Sequence, residues 1–311
     1  MIKKSPHGKS LKEQLLAAAK DRLHHFTLAN DTIRGVILHG TRMVHEMRGN
    51  HELGVLETLV LGHAYLGAAL MSATLKGNDR LSLLFECSGP IRGLVVESNA
   101  FGEVRGYLKQ IPIPIEKPLE SFDLSPFFGA GFLTVTRYLE GAKQPFAGKV
   151  ILQYGNIAQD LAHYYVTSEQ IPTALHLSIR FDPEGNLLGA GGMLIQALPG
   201  ADTETILAIE QKVESLPSLG TAFSTGILPE SILREAFQAY APRIIANRRI
   251  EFMCHCNESG VKRLLMLLPK SDLSDILEKG PFPVEMRCHH CNTCYEFGRE
   301  VIEEIYNNSK P

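Results

Sequence analysis

Five of the six cysteines lie within a 41-residue stretch near the C-terminal end of the sequence. Cys254 and Cys256 form a CxC pair, and Cys288 and Cys291 form a CxxC pair after a spacer of 31 residues. Two such pairs can supply the four thiolates of a closed tetrahedral zinc site, in which four sulfur ligands leave no position open for a substrate. The pattern therefore predicts a structural or regulatory metal site rather than a catalytic one.

Spacing alone leaves the ligand set open. Cys288, Cys291 and Cys294 form a CxxCxxC run, and Cys291 and Cys294 could serve equally well as the second ligand of this pair. Three histidines are also within reach as nitrogen ligands, and they are His255, His289 and His290. The isolated Cys87 sits in a strand-like run, where we expect it to act as a small apolar core residue.

Composition indicates a folded, soluble chain. The 311 residues are 44% hydrophobic and 21% charged, with a formal net charge of −3, so no overall basic field attracts nucleic acid or an anionic membrane. No apolar segment typical of a secretion signal follows Met1-Ile2-Lys3-Lys4, so we expect the reducing cytoplasm, where clustered thiols bind metal. The apolar run 58–75 contains His63 and six small residues and is interpreted as a buried helix, not a membrane span.

The elements that position the cysteines predict an α+β fold. Three runs rich in β-forming residues within 81–108 predict an antiparallel meander, and a helix is expected near 55–75. Further strands are predicted at 132–139, 149–154, 175–181 and 187–198. These elements make up an α+β core domain over residues 31–200, with an antiparallel sheet and helices.

Three further segments complete the predicted domain organisation. Residues 1–30 are an N-terminal extension, expected to be helical because Ser10 and Glu13 form a capping box. Residues 201–248 are a helical, metastable linker with helices at 202–214 and 229–240. Residues 249–311 are a small C-terminal four-cysteine zinc domain.

The sequence resembles the 33 kDa chaperonin family, the bacterial redox-regulated holdase chaperones of the heat-shock response that oxidation activates. The resemblance covers about 31–305 and rests on the cysteine array and on four further motifs in the family's order. These are GEVRGY at 102–107, SEQIP at 168–172, AGGMLIQ at 190–196 and YEF at 295–297. The N-terminal extension departs from the family pattern.

The resemblance implies a function and a ligand set. It implies zinc bound by Cys254, Cys256, Cys288 and Cys291, which leaves Cys294 outside the family pattern. It also implies a chaperone without enzymatic activity or ATP use, whose partners are unfolded proteins and whose oxidised form is expected to self-associate as a homodimer. Oxidation is expected to join sequence neighbours, Cys254 with Cys256 and Cys288 with Cys291.

Two other functions fit the sequence less well. A zinc-ribbon nucleic-acid binder could use Arg243, Arg248 and Arg249, but residues 243–311 carry ten basic and ten acidic side chains and therefore no net charge. A thiol–disulfide oxidoreductase could be built on Cys288 and Cys291, but its motif usually lies at a helix N-terminus in a βαβ unit. The glycine-rich run 188–192 lacks the Lys-Ser/Thr of a phosphate-binding loop, so it is interpreted as a closely packed strand.

Overall fold

A computed structural model describes residues 21–115 and 123–308 of the chain. Its contacts divide the chain into a large unit that ends at Phe252 and a small unit that begins at Met253. The predicted zinc domain thus begins four residues later than the sequence indicated. The large unit is one compact body that includes residues 21–30 of the predicted extension and the predicted linker 201–248.

The described strands form three sheets. In chain order they are β1 (Arg22–Leu28), β2 (Ile33–His39), β3 (Arg80–Cys87), β4 (Gly93–Asn99), β5 (Glu103–Leu108), β6 (Gly131–Tyr138), β7 (Phe146–Ile151), β8 (Thr173–Phe181), β9 (Leu187–Ala197), β10 (Arg243–Arg249), β11 (Glu251–Phe252), β12 (Val284–Arg287) and β13 (Cys294–Phe297).

The α-helices of the described residues are mostly short. They are α1 (Thr41–His51), α2 (Val55–Met71), α3 (Ser125–Phe128), α4 (Ile157–Tyr164), α5 (Thr203–Glu214), α6 (Leu219–Ser224), α7 (Pro229–Phe237), α8 (Glu258–Leu265), α9 (Lys270–Lys279) and α10 (Arg299–Asn308).

The six-stranded sheet of the large unit contains the predicted meander. Its strand order is β11–β5–β4–β3–β6–β7, and β3, β4 and β5 pair antiparallel with their sequence neighbours. The other four strands predicted in the core also form, as β6 to β9, with ends that differ by a few residues. The α+β fold class is therefore confirmed.

Helix α2 lies in the core of the large unit and matches the helix predicted near 55–75. By length and composition, residues Val55–Thr74 could cross a membrane. However, 89% of an 18-residue apolar stretch of this segment is buried inside the protein. The Tyr65 hydroxyl donates to the Gly106 carbonyl of β5 at 3.0 Å, and Ser98 of β4 donates to the Ala68 carbonyl at 3.0 Å. These bonds and the burial identify α2 as a buried core helix of the large unit.

The predicted linker is not a separate segment. Helices α5 and α7 form where the sequence indicated, and they pack with α6 on one face of the five-stranded sheet β10–β1–β2–β9–β8. Their shared core includes Phe26, Ile37, Phe223 and Phe237. Residues 243–248, which were assigned to the linker, instead form the edge strand β10 together with Arg249, because the β-branched Ile244 and its neighbours pair antiparallel with β1.

The N-terminal prediction is wrong for the residues that the structure describes. Arg22–Leu28 form strand β1, an inner strand between β10 and β2, and not a helix. The sequence RLHHFTL buries side chains on both faces of the sheet, so it lacks the alternation by which a half-exposed strand is recognised. The helix expected from the capping box at Ser10 lies outside the described residues.

The small unit combines α8, α9, the hairpin β12–β13 and α10 around a core of its own. Only six apolar side chains in this core are buried, and they are Val261, Leu265, Leu273, Phe297, Ile302 and Ile305. The leucine-rich run 264–268 is split: Leu265 is buried, whereas Leu264, Met266 and Leu267 are exposed. Such a small core stabilises a fold only weakly.

Asp21 fixes the start of β1 against the beginning of α1. Its carboxylate accepts the backbone N–H groups of Arg42 at 3.2 Å and Met43 at 2.7 Å, which caps a helix that has no side-chain cap of its own. Burial raises the pKa of the Asp21 carboxyl to about 7, although these two hydrogen bonds act in the opposite direction.

This pKa predicts how stability depends on pH. The folded protein binds the Asp21 proton more tightly than the unfolded chain, so this stabilisation is present below about pH 4 and is lost as the pH rises through about 7. Between about pH 5 and pH 7.5 the wild type should lose up to about 1.4 kcal/mol per pH unit relative to Asp21→Asn. Urea unfolding followed by circular dichroism measures the difference. The exposed Glu184→Gln is the control, and parallel pH profiles of wild type and Asp21→Asn would contradict the assignment.

Candidate metal centre

The first cysteine pair lies in an irregular segment between β11 and α8. Cys254 and Cys256 precede Asn257, whose side chain accepts the N–H of Gly260 at 2.8 Å and caps α8. The cap fixes where α8 begins, so the pair is held directly before a defined helix start. Cys254 is 2% exposed and Cys256 is partly buried.

The second pair lies in the tight turn between β12 and β13. The Cys288 N–H donates to the Thr293 carbonyl at 3.0 Å, and the Asn292 N–H donates to the Cys288 carbonyl at 2.7 Å. Asn292 has φ 54°, in the left-handed region that asparagine tolerates better than most residues. The turn therefore folds the chain back within six residues and carries Cys288 and Cys291 together.

The structure brings both pairs to one point. Cys254, Cys256, Cys288 and Cys291 have all their sulfur atoms within 4.8 Å of one another. The Sγ atoms of Cys254 and Cys288 are 3.8 Å apart, and those of Cys256 and Cys291 are 3.3 Å apart. Zn–S bonds of about 2.3 Å in a tetrahedron separate the sulfurs by about 3.8 Å. The four thiols therefore fit a four-coordinate metal ion of this size.

The protonation of the cluster also calls for a cation. Hydrogen bonds from the thiols of Cys288 and Cys291 hold the pKa of Cys254 far below its usual range. Donation to Cys254 raises the pKa of Cys288 to about 11, and it raises the pKa of Cys291 further. One thiolate is thus stabilised by the remaining thiols, whereas a fully ionised cluster needs a positive ion at its centre.

Two hydroxyl groups contact the sulfur atoms from outside the group of four. The Tyr295 hydroxyl donates to Cys256 Sγ at 3.2 Å, and Thr293 Oγ1 lies 3.2 Å from Cys291 Sγ. Sequence reasoning used Tyr295 only as part of a family motif and missed its contact with the cluster. Its position in a short strand directly after the cysteine turn is the signal that could have indicated it.

Cys294 lies outside the group of four. It begins β13, opposite Arg287 of β12, and its Sγ is 3.7 Å from a carboxylate oxygen of Glu285. Successive residues of a strand point to opposite faces, and the next residue, Tyr295, contacts Cys256. Cys294 therefore points away from the sulfur cluster. Among residues 21–115 and 123–308, no other set of three or more potential ligand residues is so compact, and the set contains none of the three neighbouring histidines.

The arginines considered for nucleic-acid binding are engaged within the large unit. Arg243 pairs with Asp31 and Arg249 pairs with Glu251, at 2.6 and 2.7 Å. Arg248 donates to the carbonyl of Ala100 at 2.9 Å and to the hydroxyl of Ser72 at 2.6 Å. These contacts within the fold account for the three arginine side chains without a nucleic-acid ligand.

The glycine-rich run belongs to a closely packed strand, as the sequence indicated. Gly189 and Gly191 lie in β9, where an added Cβ would collide with the Gly220 carbonyl and with the Phe223 ring of α6. The glycines therefore allow α6 to approach the sheet.

Comparison with known proteins finds relatives of one family over most of the chain. A family model described as Hsp33 protein matches residues 21–298. The 33 kDa chaperonin of Ruminiclostridium cellulolyticum is 35% identical over 288 residues, which cover 92% of this chain and 97% of the relative. The 33 kDa chaperonin of Geobacter sulfurreducens is 34% identical over 275 residues, covering 88% and 90%. The crystal structure of a 33 kDa chaperonin, a heat shock protein 33 homolog from Thermotoga maritima, superimposes with a TM-score of 0.84 at 34% identity, covering 93% and 98% of the two chains.

The geometry predicts different effects for two cysteines of similar burial. Cys256→Ser removes one of four clustered sulfurs, so we expect the protein to lose its bound metal and the small unit to lose its fold. Cys294→Ser changes a sulfur on the other face of the hairpin and should leave the metal content unchanged. Elemental analysis of the purified proteins measures both. Equal metal content in the two variants would contradict the proposed cluster.

Tyr295 should tune the affinity of the cluster. Tyr295→Phe deletes the hydroxyl that donates to Cys256 Sγ, and loss of such a supporting hydrogen bond weakens metal binding by about tenfold or more. Competition with a chromogenic chelator measures the dissociation constant. Tyr154→Phe, in the large unit, is the matched control, and an unchanged affinity in Tyr295→Phe would exclude a role for this hydrogen bond.

Proposed function

The chain belongs to the Hsp33 family, as its resemblance to the 33 kDa chaperonins indicated, and on that premise we propose that it is a redox-regulated, ATP-independent holdase chaperone. In this proposal it binds unfolding proteins after oxidation and catalyses no reaction. The observation that carries the proposal is the group of four sulfurs, contributed by two pairs that lie 31 residues apart in the sequence.

We assign the ion to zinc and its ligands to Cys254, Cys256, Cys288 and Cys291. Sulfur donors and a tetrahedral arrangement favour zinc over the hard cations that prefer oxygen. When bound, the ion holds four thiolates together and offers no open position, so its role is structural. Tyr295 and Thr293 support the sulfurs from outside.

The metal would supply most of the stability of the small unit. Six buried apolar side chains make a small core, and small natural domains with so little core commonly add a metal or disulfides. Structural zinc contributes about 10–16 kcal/mol of binding free energy, which is available only to the folded chain. The fold of the small unit should therefore depend on the oxidation state of its thiols.

A peroxide is an oxidant of the right class for the switch. One thiolate attacks a peroxide oxygen, the O–O bond breaks, and a sulfenic acid forms as hydroxide leaves. The neighbouring thiolate then attacks the sulfenic sulfur. This attack forms the disulfide and displaces a second hydroxide. Each pair gives up two electrons to one peroxide, so two peroxides convert Cys254 with Cys256 and Cys288 with Cys291 into disulfides and remove all four ligands.

The local disulfides cannot replace the ion. Each closes a loop of only three or four residues, which the chain-entropy relation values at about 2 kcal/mol, and neither spans the 31-residue spacer. The small unit should therefore unfold and expose its apolar core, next to Leu264, Met266 and Leu267, which are exposed already. Apolar surface of this kind binds the exposed apolar surface of unfolding proteins. It also favours self-association of the oxidised form, for which a homodimer is the simplest arrangement.

A combined zinc and aggregation assay tests the proposal. Peroxide treatment of the reduced, zinc-loaded protein at about neutral pH should release one zinc per chain and form two disulfides. The oxidised protein should then suppress the aggregation of a heat-unfolded client. The reduced protein should not suppress it. Cys256→Ser should suppress aggregation without peroxide, whereas Cys294→Ser should behave like wild type.

Two results would refute this mechanism. The first is zinc that stays bound while the four thiols oxidise. The second is equal suppression of aggregation by the reduced and the oxidised protein.

A further inference from the structure

The large unit contains a cavity that the proposed chaperone function does not use. It has a volume of about 340 Å³ and lies between the five-stranded sheet and the C-terminal end of α2. This volume is at the lower end of the range of small-molecule sites and offers room for about eleven methylene-sized or water-sized groups. All its lining residues belong to the large unit, so the cavity is separate from the sulfur cluster.

Arg34 of β2 projects a positive charge into this cavity. Its Nε and Nη2 atoms donate to Gln196 Oε1 at 3.0 and 2.8 Å. Gln196 is 2% exposed and is itself oriented, because its amide NH₂ donates to Thr173 Oγ1 at 3.1 Å and the Thr173 hydroxyl donates to the Ile171 carbonyl at 2.9 Å. The guanidinium is therefore held in place by a neutral group.

The charge of Arg34 has no counterion within the described chain. Among residues 21–115 and 123–308, no carboxylate forms an ion pair with the Arg34 guanidinium, and no Asp or Glu lines the cavity. A second cation, Lys76, lies at the rim. The nearby Arg137, which donates to Thr74 at the rim, is already balanced by Glu169 at 2.6 Å. The cavity thus presents an excess of positive charge that favours an anion.

Apart from the hydroxyl groups of Thr74 and Tyr165, the remaining wall is apolar. It includes Val36, Leu70, Leu194 and Ile245. His25 also lines the cavity, and burial lowers its pKa, so at neutral pH it adds a neutral ring and no charge. An inorganic anion would leave this apolar wall without contacts, and an uncharged apolar molecule would leave Arg34 without a counterion.

We propose that this cavity binds a small carboxylic acid with an apolar tail, its carboxylate on Arg34 and its tail against Leu70, Leu194 and Ile245. A carboxylate accepts the planar, oriented N–H groups of a guanidinium better than it accepts a mobile ammonium group. Nη1 of Arg34, which has no hydrogen-bond partner among residues 21–115 and 123–308, and the ammonium group of Lys76 supply donors to the carboxylate. The volume of the cavity accommodates an apolar chain of about eight carbons.

Three probes with the same eight-carbon alkyl chain and different head groups test whether binding requires a negative charge. Sodium octanoate, 1-octanol and octylammonium chloride are titrated calorimetrically into the reduced, metal-loaded protein. Octanoate should bind and raise the unfolding temperature of the large unit. Octanol and octylammonium should bind at least tenfold more weakly, because they lack the charge-assisted bond. Equal binding of octanol and octanoate would overturn the proposal, as would the absence of octanoate binding.

Four variants locate the site. Arg34→Gln should weaken octanoate binding by about tenfold or more, and Arg34→Lys, which keeps the charge, should weaken it less. Ala73→Leu fills the cavity from the α2 side and should abolish binding of octanoate. Arg180→Gln, at an exposed position of β8, is the matched control and should bind like wild type.

The outcome does not depend on the redox proposal, because the readout is binding to the reduced protein. Circular dichroism and zinc content establish that each variant is folded. Undiminished octanoate binding by folded Arg34→Gln and Ala73→Leu would place the ligand elsewhere and overturn the proposal. If Arg34→Gln fails to fold, the probe series on the wild type and Ala73→Leu still decide it.

Discussion

The repulsion among four ionised sulfurs is the constraint on which the small unit depends. Two thiolates at about 4 Å repel each other by about 4 kcal/mol at the effective dielectric constant of a protein surface. Four of them within 4.8 Å therefore require a cation, and the raised pKa values of Cys288 and Cys291 agree in direction with this repulsion. The elements around the cluster then have one task each. A capped helix holds the first pair, and a turn with a left-handed residue holds the second.

The placement of this cluster in the small unit suits the proposed switch. The large unit buries a 17-residue apolar helix and two sheets, so its stability does not rest on any single group. The small unit buries six apolar side chains, and a bond that joins its two halves can decide whether it folds. A sensor built on a marginal core converts a chemical change at sulfur into a change of fold. Oxidation of the same thiols in a domain with a large core would leave that domain folded.

Much of the fold could be predicted from local pattern, but strands β1 and β10 could not. The meander 81–108 and the helix near 55–75 were correct because their alternation or length is unambiguous. Strand β1 was missed because both of its faces are buried, and β10 was missed because a short basic segment becomes a strand only by pairing with β1. Both errors concern pairing between residues about 220 positions apart, which no local pattern encodes. The cysteine cluster was within reach of sequence reasoning because residue type and spacing alone restrict its chemistry.

The choice between Cys291 and Cys294 shows where that reasoning ends. By spacing, either could complete the second pair, and only the family resemblance separated them. The structure supplies the physical reason: the turn ends at Thr293, so residue 294 is the first of a strand and 295 points to the other face. Since Tyr295 reaches Cys256, Cys294 must point away from the sulfurs for as long as β12 and β13 stay paired. The exclusion of the fifth thiol is therefore a property of the folded hairpin and not of the sequence spacing. Unfolding of the small unit would remove it.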